Sequence, residues 1–223
     1  MRNDRNFFLG LIISLSFMIS LPFWVKSEFF FFAAYSVLQF VILASAWNIL
    51  GGYAGYVNFG SAAFFAIGAY STIVGYKLQF PQGFNIVFGT FVAAVVGLGM
   101  GYVTLRLRGV YFSIATLAMS VVLFTIVTNW PFVGGARGVY VIVPRESPIG
   151  IGQYIHWLYF LILGMATISV VISRFIENSS LGQGLMAIRD DESAAEGLGV
   201  PTLKLKLIAT TISGALMGLA GTT

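Results

Sequence analysis

The sequence predicts an all-α polytopic bundle of transmembrane helices, about six to seven spans with a broken helix near 51–60. Of 223 residues, 58% are hydrophobic and 9% charged, against roughly 25% charged in an ordinary soluble domain. Too few polar side chains exist to cover a water-facing globule, whereas a bilayer requires an apolar outside. The sparse charges separate uncharged runs of about 20 residues, the length that crosses hydrocarbon. The longest of these runs, 29–76, exceeds twice one span and is interrupted by glycine.

The first span is 7–25, preceded by Arg2 and Arg5 and followed by Lys26 and Glu28. Its basic start also suits a signal peptide, but no small-x-small cleavage site precedes Lys26 and further spans follow at once. The second span ends near Leu50 and the third starts near Ser61, because Gly51, Gly52, Gly55 and Gly60, with Asn48 and Asn58, disfavour a continuous helix. Spans four and five, 84–105 and 110–128, flank the basic turn 106–109. Residues 129–152 hold Pro131, Gly134, Gly135, Pro144 and Pro148, which is loop chemistry. Span six follows at 153–175. A long polar stretch, 177–206, leads to a seventh apolar segment, 207–223, within a single transmembrane domain covering 1–223. Gly97 with Gly101, and Gly214 with Gly218, have the small-xxx-small spacing of helix packing.

Lys and Arg set the orientation. With the amino terminus inside, Arg2, Arg5, Arg106, Arg108, Arg174, Arg189, Lys204 and Lys206 fall on the cytoplasmic side and Lys26, Lys77, Arg137 and Arg145 outside. That distribution follows the positive-inside rule. It puts 177–206 in the cytoplasm and 129–152 outside.

Several function classes lose their residues. No G-x-x-x-x-G-K-[ST] phosphate loop is present, so ATP hydrolysis by that route is not expected in this chain. No Asp or Glu lies within a span, although ion-coupled carriers usually keep a buried carboxylate. With no Cys and one His, no metal site or cofactor is expected, and His156 beside Trp157 reads as an interfacial ring. The net charge of +4 comes without a basic patch interleaved with aromatics, so nucleic acid is not an expected partner. The expected environment is a lipid membrane.

Two features remain. The break at 51–60 is either a turn that lets helices pack closely or exposed backbone along a substrate path, since unpaired backbone is tolerated at membrane depth only facing protein or water. Residues 179–199 read as two short helical pieces with Leu185, Ile188 and Leu198 apolar and the acids exposed. Such a pattern suits either docking into a groove on a partner protein or a solvated loop.

Three stretches together resemble the inner-membrane permease subunits of ATP-binding-cassette importers for branched-chain amino acids, in particular their M-type (LivM-like) subunit. They are 51–65, 105–117 with Gly134, Gly135 and Gly138, and 181–199. In the third stretch Ala194, Ala195 and Gly199 keep the Glu-Ala-Ala-x-x-x-Gly spacing, with Ser193 in place of the acid and Glu192 one residue earlier. The relatives run well past the position of Thr223, so the resemblance implies a chain cut short at its C-terminal end.

The resemblance implies a multi-pass protein of the bacterial inner membrane, partnered by cytoplasmic ABC ATPase subunits, a second (LivH-like) permease subunit and a periplasmic substrate-binding protein. Arg189, Asp190, Glu192, Ala194, Ala195 and Gly199 would dock the ATPase. A zwitterion with an apolar side chain calls for neutral dipoles along the path, for which Asn48, Tyr53, Asn58, Ser61 and Thr116 are the candidates. Permeases for urea or short amides share the pattern, and an ATP-independent channel or carrier is the alternative from another class.

Overall fold

In a computed structural model, residues 2–139 and 154–223 are described. They form nine α-helices: α1 (Arg2–Trp24), α2 (Glu28–Gly51), α3 (Ser61–Lys77), α4 (Gln82–Thr104), α5 (Val110–Thr128), α6 (Tyr154–Glu177), α7 (Ser180–Asp190), α8 (Glu192–Gly197) and α9 (Thr202–Gly221). Six of them, α1, α2, α4, α5, α6 and α9, are long and apolar enough to cross a membrane. At 17 residues, α3 is about 25 Å long at 1.5 Å per residue, short of the roughly 30 Å of hydrocarbon. The expected loop 129–152 is described only to Val139, where two 3₁₀ turns, Pro131–Val133 and Gly135–Arg137, follow α5. The rest of that loop lies outside the described residues.

Helix α9 is the hub. It packs against α2, α3 and α4, while α2 also packs along α6. Small residues permit these approaches, as their spacing predicts. A Cβ added to Gly68 would fall 2.0 Å from the carbonyl oxygen of Gly218, and one at Gly218 would fall 2.1 Å from the Ala93 Cβ. Polar ties reinforce the hub: Ser213 Oγ donates to the Ala46 carbonyl at 2.7 Å and Gln39 Nε2 to that of Ala220 at 3.0 Å. The outer faces stay bare. Val110 of α5 is 73% exposed and Phe124 70%, which water would not tolerate in such numbers and lipid does.

The seventh apolar segment begins earlier than expected. Pro201 stands at the N-cap of α9, a helix-start signal, so the helix takes in Lys204 and Lys206 rather than starting at 207. Lys206, counted from sequence among the cytoplasmic-loop cations, is buried at 2% exposure.

Candidate functional site: the break and the α7–α8 hairpin

Helix α2 stops at Gly51 and α3 starts at Ser61; between them 55–58 have no helical or turn structure. Burial alternates strictly from Ala54 to Gly60, with Ala54, Tyr56, Asn58 and Gly60 inward and Gly55, Val57 and Phe59 outward. That period of two marks extended backbone. Gly55 makes the change of direction at φ 72°, a conformation that side chains with a Cβ rarely adopt.

The extended segment runs along α5, whose hydroxyls take up its backbone groups. Ser113 Oγ donates to the Val57 carbonyl at 2.9 Å, and Thr116 Oγ1 accepts from the Phe59 N–H at 3.2 Å. Ser120 Oγ reaches the Phe59 carbonyl at 3.5 Å. The spacing i, i+3, i+7 places these three on one helix face, and seven residues of α5 cover about 10 Å of depth. The break is therefore more than a surface turn: it carries non-helical backbone alongside a spanning helix, satisfied by protein.

The five path candidates do not share one wall. Asn58, Ser61 and Thr116 gather on the α5 side. There Asn58 Oδ1 caps the Gly60 N–H at 2.7 Å, and the Asn58 carbonyl accepts from Ser61 Oγ at 3.2 Å. Asn48 and Tyr53 turn the other way, into a groove of about 350 Å³ lined also by Phe7, Ser45, Ser173 and Arg174. The Tyr53 hydroxyl donates to the Ser173 carbonyl at 3.2 Å.

Beyond α6 the chain folds into the expected pair of short helices. Ser179 caps α7 by accepting from the Gly182 N–H at 3.3 Å, and Asp191 caps α8 by accepting from Ala194 at 3.0 Å. Leu185 and Ile188 are buried and join the same apolar core as Leu50, Ala54 and Tyr56 of the break. Arg189 lies across the break, its Nη1 donating to the Gly52 carbonyl at 3.3 Å.

The docking candidates divide by face. Asp190, Ala194 and Gly199 are exposed, and so is Leu198 at 87%. Ala195 is buried, and Glu192 turns inward with its side chain 13% exposed, so the expectation that the acids are exposed holds for Asp190 and not for Glu192. Glu192 and Glu196, four apart on α8, are neighbours on one helix face. Glu192 Oε1 accepts from Lys206 Nζ at 2.7 Å, and Oε2 accepts a short hydrogen bond from the Tyr56 hydroxyl. Arg108 approaches Glu192 at 3.6 Å and donates to both Glu196 oxygens, at 3.1 and 3.0 Å. Lys206 completes its donors with the Tyr56 oxygen at 3.2 Å and the Leu105 carbonyl at 3.4 Å.

Burial alone would raise the Glu192 carboxyl. The hydrogen bonds from Lys206 and Tyr56, with the charges of Lys206 and Arg108, outweigh it and hold the group below the ordinary glutamate value. Tyr56, Lys206, Ser113 and Ser120 were not singled out from the sequence. The serines carry a readable signal in their spacing with Thr116; the pairing of Lys206 with residues 14 and 150 positions away carries none.

Six apolar helices long enough to cross a membrane, packed around a hub, define a multi-pass helical membrane protein. The chain belongs to the family described as branched-chain amino acid transport system / permease component, whose family model matches residues 29–223. It is 28% identical to the high-affinity branched-chain amino acid transport system permease protein LivM of Escherichia coli (strain K12), over 96% of this chain and 56% of that protein. The protein of the same name from Salmonella typhimurium (strain LT2) gives the same figures. A probable branched-chain amino acid transport permease protein LivM from Methanocaldococcus jannaschii is 26% identical over 82% of this chain and 63% of its own length. The chain thus spans little more than half the length of the first two relatives. No solved structure gives a significant match.

Proposed function

We propose that this chain is the permease subunit of an ATP-driven importer and forms, with a second LivH-like permease subunit, the translocation path for branched-chain amino acids. It crosses the bacterial inner membrane with its amino terminus in the cytoplasm and carries out no catalysis itself. ATP is hydrolysed by cytoplasmic ABC ATPase subunits, and a periplasmic binding protein delivers the substrate. Membership of the permease family supports the class, and the relatives' designation as branched-chain amino acid permeases supports the substrate.

The observation that carries the reading is the folded α7–α8 hairpin. A polar insertion between two spanning helices could have been a solvated loop; instead it is capped, packed on the break through Leu185 and Ile188, and presents Asp190, Ala194 and Leu198 outward. That is the build of a handle for a partner protein. The break at 57–60 and the facing side of α5 are polar but uncharged, a lining that suits a zwitterion, and rocking of α9 and the break would open that path alternately to each side.

The test is reconstitution of the chain in proteoliposomes with the second permease subunit, the ATPases and the binding protein, followed by uptake of radiolabelled leucine. ATP-dependent uptake that stops when the ATPases are omitted is the expected result. Uptake that persists without ATP would establish a channel or carrier instead, and uptake of urea without leucine would reassign the substrate.

A further inference from the structure

Resting on that reading, we infer that the buried Lys206–Glu192–Tyr56 triad is the joint through which movement of the α7–α8 hairpin reaches the break and α9. Lys206 acts as its positioning residue. Each member belongs to a different moving part: Glu192 opens α8, Tyr56 lies in the extended break, and Lys206 sits near the start of the hub helix. Lys206 also holds the end of α4 through the Leu105 carbonyl.

The arrangement is costly as a means of attachment. A buried ion pair often stabilises no better than apolar side chains of the same volume, and a cation near a helix N-terminus opposes the helix dipole. Attachment is already supplied by Leu185 and Ile188, buried in the core shared with Leu50 and Ala54. What apolar contacts lack is direction, since one greasy surface can slide over another. In the triad the two Glu192 oxygens are held by separate donors, Lys206 on one and Tyr56 on the other, so the carboxylate can neither rotate nor translate without taking both along. The Lys206 ammonium also lies 4.7 Å from the centre of the Tyr56 ring, adding a cation–π contact to the same link.

Beyond the joint, the path for a displacement is stiff. The second acid of α8 is tied in parallel, Glu196 accepting from Thr202 Oγ1 of α9 at 2.8 Å. The approach of α9 to α3 and α4 is backbone-close, through Gly68, Gly218 and Ala93. A push on the outward face of α8 therefore moves α9 and the break together.

The experiment uses the complete transporter with its ATPases and binding protein, comparing the parent chain with Lys206→Met, Tyr56→Phe and Lys206→Arg. Uptake and ATP hydrolysis are measured on the same vesicles, with amide hydrogen exchange at 52–60 followed on nucleotide binding. Members of one ion-pair network couple strongly enough for about a tenfold change. Lys206→Met is expected to keep ATPase recruitment and hydrolysis within about twofold while uptake per ATP falls about tenfold, and Lys206→Arg is expected to recover part of it. In Lys206→Met the nucleotide-induced exchange change should persist in 180–197 and vanish in 52–60. If Lys206→Met does not assemble, Tyr56→Phe, which keeps the ring and removes one hydroxyl, carries the same two readouts with a smaller expected loss. Unchanged uptake per ATP with an unchanged exchange response at 52–60 overturns the joint. Failure of the parent chain to recruit an ATPase at all overturns the importer reading beneath it, which is a separate result.

Discussion

Lys206 Nζ lies 2.7 Å from Glu192 Oε1 in an ion pair whose lysine side chain is 2% exposed. Deleting one partner of such a pair strands the other, typically at about 3–5 kcal/mol. Arg108 and Tyr56 remain beside Glu192, so Lys206→Met is expected near the low end, about 3 kcal/mol. Lys206→Met combined with Glu192→Leu should regain more than half of that loss. Thermal unfolding of the purified chain in detergent measures both, and a double variant less stable than the single one would show that the pair is not coupled.

The same pair sets an acid limit. Glu192 titrates below the ordinary glutamate value of 4.5, so its contribution is fully present above the unfolded value and is lost as pH falls through the lower, folded one. Arg108, Lys206, Tyr56 and Glu196 are the titratable groups around it. The melting temperatures of the parent and of Glu192→Gln should differ at pH 6, with the gap beginning to narrow as pH falls below the ordinary value of 4.5 and closing as it passes the lower, folded one. A constant gap down to pH 3 would mean that the carboxylate charge contributes nothing.

Much of this architecture was legible from charge spacing and glycine. The starts of α3 and α5 follow from Gly60 and Gly109, and the existence of the break, though not its extended form, follows from four glycines within ten residues. Sequence was silent where folding in three dimensions decides. A six-residue helix such as α8 is too short for its inner face to show as a period, so Glu192 read as exposed. Treating charges as rulers of the membrane boundary placed Lys206 in water, although Pro201 marks the earlier start of α9. The division of Asn48 and Tyr53 from Asn58, Ser61 and Thr116 depends on which way the chain turns at Gly55, and composition does not encode that.

Packing at the hub gives a paired prediction. A methyl at Gly68 would meet the Gly218 backbone at 2.0 Å, whereas one at Gly99 meets nothing within 4 Å. Backbone cannot step aside as a side chain can, so Gly68→Ala should lose about 1–3 kcal/mol. Gly99→Ala should be neutral or slightly stabilising, because Ala is the better helix former. Yield of monodisperse protein and melting temperature decide it, and equal behaviour of the two would remove the close α3–α9 contact.

The hairpin offers a surface and a core position three residues apart. Leu198 is 87% exposed and Ala195 3%. An exposed substitution usually shifts stability by no more than about 0.5 kcal/mol, so Leu198→Arg should insert and fold normally yet recover less ATPase on co-purification. Ala195→Arg forces a charge into the core and should lower the yield of folded protein itself. Full ATPase recovery with Leu198→Arg would count against the proposed docking role of this face of the hairpin.

Thr116 tests whether the break serves as a path. Its hydroxyl accepts from the Phe59 N–H at 3.2 Å and donates to the Ser113 carbonyl at 2.9 Å, so Thr116→Val keeps the shape and strands one backbone donor. Leaving this part-buried donor unpaired costs toward the low end of about 1–3 kcal/mol, enough to shift the extended segment. Leucine uptake is expected to fall about tenfold in Thr116→Val. Val122→Thr on the lipid-facing side of the same helix, 48% exposed, should leave uptake unchanged. ATP hydrolysis by the assembled transporter should stay near the parent level in both, because neither residue touches the hairpin. A Thr116→Val transporter with parental uptake would count against the proposed path along α5.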